Sequence, residues 1–444
     1  MGKEFSISII KTLRQQGFQA YLVGGCVRDL LLNREPADYD VATNATPAQV
    51  MEIFPETWAV GEQFGVVLVP IPDGQGQISQ ARAIEVATFR SDLGYSDGRH
   101  PDEVRFSQNP QEDVIRRDFT INGMMLDPLA NKVLDFVGGQ KDLQNRLIRA
   151  IGDPDIRFRE DKLRMLRAVR FSARFNYKIE PATLQVIQRR AGEILLVSRE
   201  RVRDELTKML TEGHGRSAFL LLDQNGLLSE VLPEISKMKG VQQPPEFHPE
   251  GDVFAHTLLL LDHLPSPCPP TLAWGALLHD VGKPATFRVA PDRIRFDDHV
   301  DVGVKIGEEI CHRLRFSNDD TAQILALIKN HMRFGHVSRM KESTLKRFMR
   351  LPGFDEHLAL HRADSLASHG NLSTYESLQS KLNETPAPEL RPSVLIDGDD
   401  LIAAGYRPGP RFREILNAVE DAQLEGQLVS RDAALEYVVR EFPL

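Results

Sequence analysis

Two short motifs near the amino terminus carry residues that suit phosphate and metal chemistry. Gly24-Gly25 ends an apolar run and precedes a helical pattern over Val27–Leu32. A diglycine at such a strand-to-helix turn lets backbone N–H groups approach phosphates closely. Asp38 and Asp40 follow, two residues apart in a segment with a strand-like pattern, so both are expected on one face. Two adjacent carboxylates repel each other unless a cation is bound. The order of the motifs therefore predicts Mg²⁺ and a nucleoside triphosphate.

Further polar residues extend this predicted nucleotide site. Glu85 lies within a strand-like run and is a candidate third carboxylate, although a surface glutamate would have the same pattern. Arg116 and Arg117 are adjacent and suit phosphate oxygens, and the neighbouring Asp118 suits a ribose hydroxyl. Together these residues predict contacts to both the phosphates and the sugar of a nucleotide.

Asp161 and Arg164 stand three residues apart in a segment whose buried stripe predicts a continuous helix. A simple intrahelical ion pair is one interpretation, and it would stabilise the fold only slightly. Base selection is the other. A carboxylate only accepts and a guanidinium only donates hydrogen bonds, so the pair matches cytosine and adenine and opposes guanine and uracil. Each unpaired buried polar group would cost about 1–3 kcal/mol.

The second half of the chain contains a different set of chemically active residues. His256 lies in an apolar helical context, His279-Asp280 follows an apolar run, and Asp364 lies further on. His299 and His331 lie between them. A single histidine on an apolar helix is usually a core residue, but this order of imidazoles and carboxylates suits a divalent transition metal that activates water toward a phosphoester. The identity of the metal stays open.

Composition limits the class of protein that could carry these sites. The 444 residues are 41% hydrophobic and 26% charged, with a formal net charge of −9, which is enough for two to four domains. No apolar run approaches the roughly 20 residues that cross a membrane. The three cysteines form neither a disulfide framework nor a zinc motif, and we expect a cytoplasmic protein without membrane contacts. The acidic balance disfavours sequence-independent nucleic-acid binding, but arginines are enriched over residues 146–203.

Periodicity predicts an α+β chain with its strands near the amino terminus. A helix around Ile9–Leu13 and strands at Gln19–Val23, Gly65–Ile71 and Ala83–Thr88 indicate an α/β head with a mixed sheet. Residues 91–106 are polar and glycine-rich, which predicts a mobile loop. Helical patterns dominate after Leu147. The predicted domains are an α/β head (1–145), an all-α neck and helical domain whose arginines suit RNA (146–240), a helical body (248–370) and a helical tail (385–444).

The motifs resemble those of class II tRNA nucleotidyltransferases and bacterial poly(A) polymerases. The resemblance is carried by the diglycine and aspartate pair, by Arg116–Asn122 ("RRDFTIN") and by Glu160–Arg164 ("EDKLR"), and it covers nearly the whole chain. It implies CCA addition to tRNA from CTP and ATP, with Asp38, Asp40 and Glu85 as catalytic carboxylates and with Asp38 and Asp40 as the Mg²⁺ ligands. The nucleotide-binding residues implied by the motifs are Gly24, Gly25, Arg28, Arg116, Arg117, Asp118, Asn122, Asp161, Arg164, Arg167 and Arg170. Gly123 stands where the family usually has alanine, and we expect looser packing there.

The sequence around His279–Lys283 ("HDVGK") resembles the HD phosphohydrolase domain. That resemblance implies metal ligation by His256, His279, Asp280 and Asp364, with His299 and His331 as ligands of a second metal or as phosphate-binding groups. It also implies hydrolysis of 2′,3′-cyclic or terminal phosphates at RNA ends. Three alternatives stay open from sequence: an enzyme that adds only the final A, a poly(A) polymerase, and an HD hydrolase with a non-catalytic RNA-binding head.

Overall fold

A computed structural model describes residues 2–59, 65–72, 82–94, 98, 102–244, 246, 249 and 251–444. The strands are β1 (Ala20–Val23), β2 (Asp40–Thr43), β3 (Trp58–Ala59), β4 (Val66–Pro70), β5 (Ala83–Thr88), β6 (Arg90–Leu93), β7 (Glu103–Phe106), β8 (Met124–Asp127), β9 (Lys132–Asp135), β10 (Leu147–Ile148), β11 (Lys178–Ile179), β12 (Phe287–Val289) and β13 (Ile294–Phe296). No helix in the described part of the chain combines the length and apolarity needed to span a membrane.

The helices are distributed along the whole chain and dominate its second half. They are α1 (Gly2–Gln15), α2 (Gly25–Leu31), α3 (Pro47–Ile53), α4 (Pro110–Ile115), α5 (Gly139–Gln144), α6 (Pro154–Glu160), α7 (Arg164–Phe175), α8 (Pro181–Arg190), α9 (Arg199–Thr211), α10 (Gly215–Gln224), α11 (Leu227–Val231), α12 (Pro233–Ser236), α13 (Val253–Leu261), α14 (Pro270–Leu278), α15 (Lys283–Thr286), α16 (His299–Arg313), α17 (Asn318–Asn330), α18 (Glu342–Met349), α19 (Phe354–Ala367), α20 (Ser373–Glu384), α21 (Ala387–Leu390), α22 (Gly398–Ala403), α23 (Pro410–Leu424) and α24 (Arg431–Glu441).

Within the described residues, seven strands form one mixed sheet in the order β3-β4-β5-β2-β1-β8-β9. Strands β2 and β5 pair in parallel, and their neighbours are antiparallel. The sheet core contains Val23, Ala42 and Met125 from the adjacent strands β1, β2 and β8, packed with Phe89 and Val114. This arrangement confirms the predicted α+β class with a mixed sheet in the head, and β5 has the predicted bounds.

The sheet forms because its central strands alternate between a buried face and a less buried one. In β5, Ile84 and Val86 are buried while Glu85 between them is exposed, the pattern of a strand with one wetted face. The amino-terminal helix buries Ile9, Ile10 and Leu13 as its period predicts.

The segment predicted as a loop over residues 91–106 is ordered at both ends. Strands β6 and β7 pair antiparallel, with Ser91 opposite Arg105 and Leu93 opposite Glu103. The alternation of polar and apolar residues over Glu103–Phe106 is a strand pattern, which a prediction from composition overlooked. Residues 95–97 and 99–101 lie outside the described residues.

Backbone contacts divide the chain into two compact units. The first runs to Met209 and includes Ser217–Pro233, and the second consists of Leu210–Arg216 and Glu234–Leu444. The first contains the sheet and also the short parallel pair β10–β11, while the second is helical apart from the hairpin β12–β13. The four-domain division made from sequence stays a prediction.

The last three helices of the second unit pack around their own apolar cluster, which includes Leu401, Ile415 and Val438. Asp397 forms a capping box at the start of α22, which satisfies otherwise unpaired amide groups there. Arg347 of α18 forms an ion pair with Glu420 of α23 at 2.6 Å. The predicted helical tail is therefore present.

Candidate active sites

The diglycine lies at the predicted turn between a strand and a helix. β1 ends at Val23, Gly24 precedes α2, and its φ of 75° lies in the region that favours glycine. A Cβ on Gly24 would lie 3.2 Å from Arg117 Nη1. Val23 pairs with Asp40 across the sheet, so the turn is held beside the first residue of β2.

Three carboxylates gather where the start of β2 lies beside β5. The parallel register sets Val41 opposite Val86, which makes the preceding residues, Asp40 and Glu85, neighbours. Asp38 precedes the strand, which begins only at Asp40. Burial, together with the charges of Glu85 and Asp38 and against the opposing charge of Arg117, raises the pKa of Asp40 to about 6. An accumulation of carboxylate oxygens that raises a pKa in this way is the donor set that a Mg²⁺ ion fits.

A cavity of about 450 Å³ opens beside these carboxylates. Its lining includes all the nucleotide-binding residues predicted from sequence and Asp40, whereas Asp38 and Glu85 are outside it. The lining residues are Gly24, Gly25, Arg28, Asp40, Arg116, Arg117, Asp118, Asn122, Asp161, Arg164, Arg167, Arg170, Phe171 and Arg174. Sequence reasoning missed Phe171 and Arg174 as site residues, although each follows Arg167 or Arg170 by one helical turn.

The arginines of this cavity are held by buried carboxylates. Asp113 is fully buried and receives hydrogen bonds from both Arg116 and Arg117, at closest distances of 2.6 and 2.9 Å. Arg170 Nε donates to Glu205 at 2.7 Å. Asp113 and Glu205 were not predicted as parts of the site, because no sequence motif marks a buried carboxylate that orients an arginine. Their role here is to fix the direction of guanidinium groups that face the cavity.

Asp118 and Asn122 connect two of the elements around the cavity. Arg167 donates to Asp118 Oδ2 at 2.7 Å, and Asn122 donates to Asp118 Oδ1 at 3.1 Å. Arg28 in turn donates to Asn122 Oδ1 at 2.6 Å. Despite burial, the charge of Arg167 lowers the pKa of Asp118, so the residue is a carboxylate at neutral pH. The ribose contact predicted for Asp118 would have to share this carboxylate with Arg167.

The predicted continuous helix across Asp161 and Arg164 is wrong. α6 ends at Glu160, Asp161 has an extended backbone (φ −145°, ψ 105°), and α7 begins at Arg164. Asp161 Oδ1 accepts from the backbone N–H of Leu163 at 3.1 Å, and such side-chain bonds compete with helix continuation. Both residues still line the cavity, but the helical spacing does not bring them together.

Asp161 and Arg164 also have other partners than the predicted intrahelical ion pair. Arg201 of α9 donates to both oxygens of Asp161, at 3.1 and 2.7 Å. Arg164 donates to Glu160 Oε2 at 2.8 Å and to the carbonyl of Arg116 at 3.0 Å. Each polar group is thus positioned by neighbours on other segments, which is an arrangement suited to a rigid template.

Gly123 lies in a closely filled space, contrary to the looser packing expected from sequence. A Cβ there would lie 2.8 Å from Ile151 Cδ1 and 3.0 Å from Val137 Cγ2, with Val114 Cγ1 at 3.3 Å. The branched side chains around it occupy the volume that a methyl group would need.

In the second unit, the predicted metal ligands converge from five helices and their ends. His256 lies in α13, His279 and Asp280 follow α14, His299 begins α16, His331 follows α17 and Asp364 lies in α19. Their ligand atoms form two groups, each within 4.8 Å: His256, His279 and Asp364 in one, and Asp280, His299 and His331 in the other. His279 Nε2 lies 3.0 Å from Asp280 Oδ2, which connects the groups.

Backbone carbonyls orient three of these histidines in the same way. Nδ1 of His279, His299 and His331 lies 2.8, 2.9 and 2.7 Å from the carbonyl of the residue three positions earlier. This contact fixes the tautomer that leaves Nε2 for a ligand. Burial lowers the pKa of His331 to about 4 against the charge of Asp280, so the ring is neutral at pH 7, as metal ligation requires.

The fit of this donor set to a metal can be tested on its buried polar atoms. Nε2 of His299, Nε2 of His331 and Oδ1 of Asp280 are buried without a hydrogen-bond partner among the described residues. The two imidazole atoms lie 3.8 and 3.7 Å from Asp280 Oδ1, beyond hydrogen-bond distance. Buried polar atoms of this kind require an explanation, and a bound ion is one that their chemistry fits. Imidazole and carboxylate donors fit a divalent transition metal.

A cavity of about 590 Å³ adjoins these groups and is lined by all of them except His256. Lys283 also lines it, with Nζ 2.7 Å from Asp280 Oδ2 and 2.7 Å from Gln243 Oε1. Its side chain is nearly fully buried. Sequence analysis noted Lys283 only as part of a motif and did not predict it as a site residue.

Three family models match the chain in the order of the fold. The Poly A polymerase head domain matches residues 20–149, the probable RNA- and SrmB-binding site of polymerase A matches 176–239, and the HD domain matches 253–366. The first coincides with the sheet and the carboxylate cluster, and the last contains all six predicted HD ligands. The fold and its sites define a nucleotidyltransferase fused to an HD domain.

Similar proteins make the family specific. The CCA-adding enzyme of Lactobacillus helveticus is 32% identical over 97% of this chain and 95% of its own length. That of Geobacillus sp. is 42% identical over 50% of this chain and 53% of its own. The crystal structure of Bacillus stearothermophilus CCA-adding enzyme in complex with CTP covers 98% of this chain and 97% of its own, with 28% identity and a TM-score of 0.74. The chain belongs to the CCA-adding enzyme family.

Proposed function

We propose that this chain adds C, C and A in turn to the 3′ end of tRNA, using CTP and ATP with Mg²⁺. The observation that carries the proposal is the single cavity that collects seven arginines beside the carboxylates where β2 begins next to β5. A cation-rich cleft next to metal-ligating oxygens is what a nucleoside triphosphate requires. The related Bacillus stearothermophilus enzyme is described in complex with CTP. A tRNA substrate agrees with the cytoplasmic location expected from the sequence, and that location stays a prediction.

Each group of side chains has a distinct part in this reaction. The arginines bind and orient the triphosphate, and Asp38, Asp40 and Glu85 hold Mg²⁺. When bound, Mg²⁺ would neutralise charge on the reacting α-phosphate and on the departing pyrophosphate. Asp161 accepts a hydrogen bond from the exocyclic amine of cytosine or adenine, and Arg164 donates to the ring acceptors. Guanine and uracil would oppose both contacts, which gives selection against them.

Extension of tRNA transcripts ending at the discriminator base, at C and at CC tests this proposal. Each transcript is incubated with Mg²⁺ and CTP, ATP, GTP or UTP singly, and with CTP and ATP together. Addition of CCA that stops there is the expected result. Addition of A alone to the CC end would indicate the A-adding alternative, and long A tracts on any RNA would indicate a poly(A) polymerase.

We also propose that the HD domain is a metal-dependent phosphohydrolase acting on 2′,3′-cyclic or terminal phosphates at RNA ends. The observation in its favour is the pair of adjacent ligand groups, in which the buried Nε2 atoms of His299 and His331 have no hydrogen-bond partner among the described residues. A transition metal bound there would activate water and polarise the phosphoester. Lys283 holds Asp280 in place and contributes positive charge to the same cavity.

The hydrolase proposal is tested with the metal-loaded full chain and an RNA that ends in a 2′,3′-cyclic phosphate. Opening of the cyclic phosphate with Mn²⁺, Co²⁺ or Ni²⁺, and its loss in His279→Ala, are expected. Absence of hydrolysis with every one of these metals would contradict the proposal and leave the head as the working enzyme. Hydrolysis without any tRNA extension would instead favour the alternative in which the head only binds RNA.

A further inference from the structure

The hairpin β12–β13 forms one wall of the HD cavity. Its strands pair Phe287 with Phe296 and Val289 with Ile294, and it lies in the chain between Asp280 and His299. Arg293, Ile294, Arg295, Phe296 and Asp297 all line the cavity. The hairpin therefore brings side chains that bind no metal to the edge of the metal groups.

Two arginines of this wall have hydrogen-bonding capacity left for a ligand. Arg293 is exposed and forms no side-chain hydrogen bond or ion pair with the residues that the structure describes. Arg295 Nη2 donates to Asp292 at 2.8 Å, while its Nε is buried with no hydrogen-bond partner among the described residues. A guanidinium group offers five donors in a planar fork that matches a phosphate.

Apolar side chains line the same cavity beside these arginines. They are Ile294, Phe296 and Met332. The Phe296 ring centroid lies 6.5 Å from that of His299 and 5.3 Å from Lys283 Nζ. An aromatic ring of this kind can stack on a nucleobase, and such contacts tolerate different bases.

The wall therefore combines guanidinium and apolar side chains beside the metal ligands, which are the kinds of group that contact the phosphates and bases of RNA. We propose that the β12–β13 hairpin binds the end of an RNA strand, with the terminal nucleoside on Ile294 and Phe296 and the next phosphodiester inward on Arg293 and Arg295. The proposal rests on the phosphohydrolase function proposed above and specifies its substrate as an oligonucleotide end. A mononucleotide would contact the metal groups and the apolar side chains but would leave both arginines without a phosphate.

A comparison of two substrates with the same reacting end tests this inference. One is a mononucleoside 2′,3′-cyclic phosphate, and the other is a short RNA ending in that nucleotide, each given to the Mn²⁺-loaded full chain. We expect Arg293→Ala and Arg295→Ala to raise KM for the RNA about tenfold, a loss of about 1.4 kcal/mol in binding. Neither variant should change kcat or KM for the mononucleotide.

Lys305→Ala is the control, because Lys305 is an exposed cation on α16 that does not line the cavity. It should behave as the wild type with both substrates. If Arg293→Ala and Arg295→Ala match Lys305→Ala on the RNA, or lose activity equally on both substrates, the inference is wrong. If the wild type hydrolyses neither substrate, the proposed hydrolase function itself fails, and the inference fails with it.

Discussion

The two candidate sites hold their charged groups in opposite ways. In the first unit, charged side chains that line the nucleotide cavity are paired with neighbouring side chains: Asp118 with Arg167, Asp161 with Arg201 and Arg164 with Glu160. In the HD domain, buried atoms of His299 and His331 have no hydrogen-bond partner among the described residues. The nucleotide site is stabilised by ion pairs between its own side chains. The HD site instead contains metal-ligating atoms, Nε2 of His299 and His331, that no described side chain satisfies.

This difference has consequences for what each site should tolerate. Because the ion pairs of the head are formed without substrate, removing one partner disturbs a second residue that lies in the cavity. The HD ligands instead bear the cost of unsatisfied burial until a metal binds. Substitutions in the head should therefore act mainly on reaction rates and selectivity, and substitutions in the HD site should act on metal-dependent stability as well.

The largest effect is expected from the carboxylates where β2 begins next to β5. Asp38 is exposed, so Asp38→Ala should leave the fold intact and lower nucleotide addition by roughly 10³-fold, because metal stabilisation of the reacting phosphates is worth several kcal/mol. Hydrolysis by the HD domain should be unchanged. Single-turnover tRNA extension measures the loss, with the exposed Glu112→Ala as control. Normal extension by Asp38→Ala would show that the metal assignment is wrong.

The substitution His279→Ala tests whether the HD site depends on a bound metal. After chelation, Mn²⁺ at a hundredfold excess over its dissociation constant should stabilise the protein by about 2.7 kcal/mol. Thermal unfolding should show this rise in the Asp38→Ala background, which removes a head ligand, and lose it when His279→Ala is added. CCA addition by His279→Ala alone should equal that of the wild type. A metal-dependent rise that persists without His279 would contradict the ligand assignment.

His357 shows whether an unpaired buried histidine is enough to explain this behaviour. Its ring is 1% exposed, and neither nitrogen has a hydrogen-bond partner among the described residues, yet it is not among the metal-ligating groups. Burial, together with the charge of Arg333 and against that of Asp355, lowers its pKa to about 4. Below about pH 6.5 the unfolded chain therefore binds a proton at this histidine that the folded chain does not bind. The free energy of unfolding decreases as the pH is lowered through that range.

Replacement of His357 by leucine should remove this acid sensitivity without affecting the metal. The destabilisation caused by His357, which the substitution removes, is about 2 kcal/mol in the free energy of unfolding at pH 5 and close to zero at pH 8. Unfolding in urea at both pH values measures it, and His312→Leu controls for the loss of an exposed histidine. If His357→Leu abolishes the Mn²⁺-dependent stabilisation, the separation between structural and metal-binding histidines would not hold.

The sequence predicted the membership of both sites better than their geometry. Residue type and order suffice for Gly24, Asp40 or His279, because phosphate and metal chemistry restrict which side chains can serve. The break at Asp161 was missed, since it depends on a side-chain bond to Leu163 N that competes with a helical period. Asp113 and Glu205 were missed because a buried carboxylate beneath an arginine is defined by tertiary packing. The filled space around Gly123 likewise depends on Ile151 and Val137, which come from other segments.

The smallest expected effect concerns the ion pair between Arg201 and Asp161. Arg201→Ala should release Asp161 from its two bonds of 3.1 and 2.7 Å, so that the carboxylate no longer keeps one orientation toward a base. We expect the preference for CTP over UTP to fall about tenfold, or about 1.4 kcal/mol. Arg201→Lys keeps the positive charge but lacks the planar guanidinium group. Its preference for CTP over UTP should lie between those of the wild type and Arg201→Ala.

Ratios of kcat/KM for CTP and UTP on one tRNA transcript measure this effect. Arg203→Ala is the matched control, because Arg203 lies on the same helix and pairs with Asp204. A fall in kcat/KM that is equal for both nucleotides would indicate that Arg201 only supports the fold. A fall in discrimination with CTP addition retained would show that the base template is positioned by an ion pair of the head itself. Arg201 alone would then illustrate the contrast between the two sites: an ion pair within the protein positions the base template, whereas the HD site needs a bound metal.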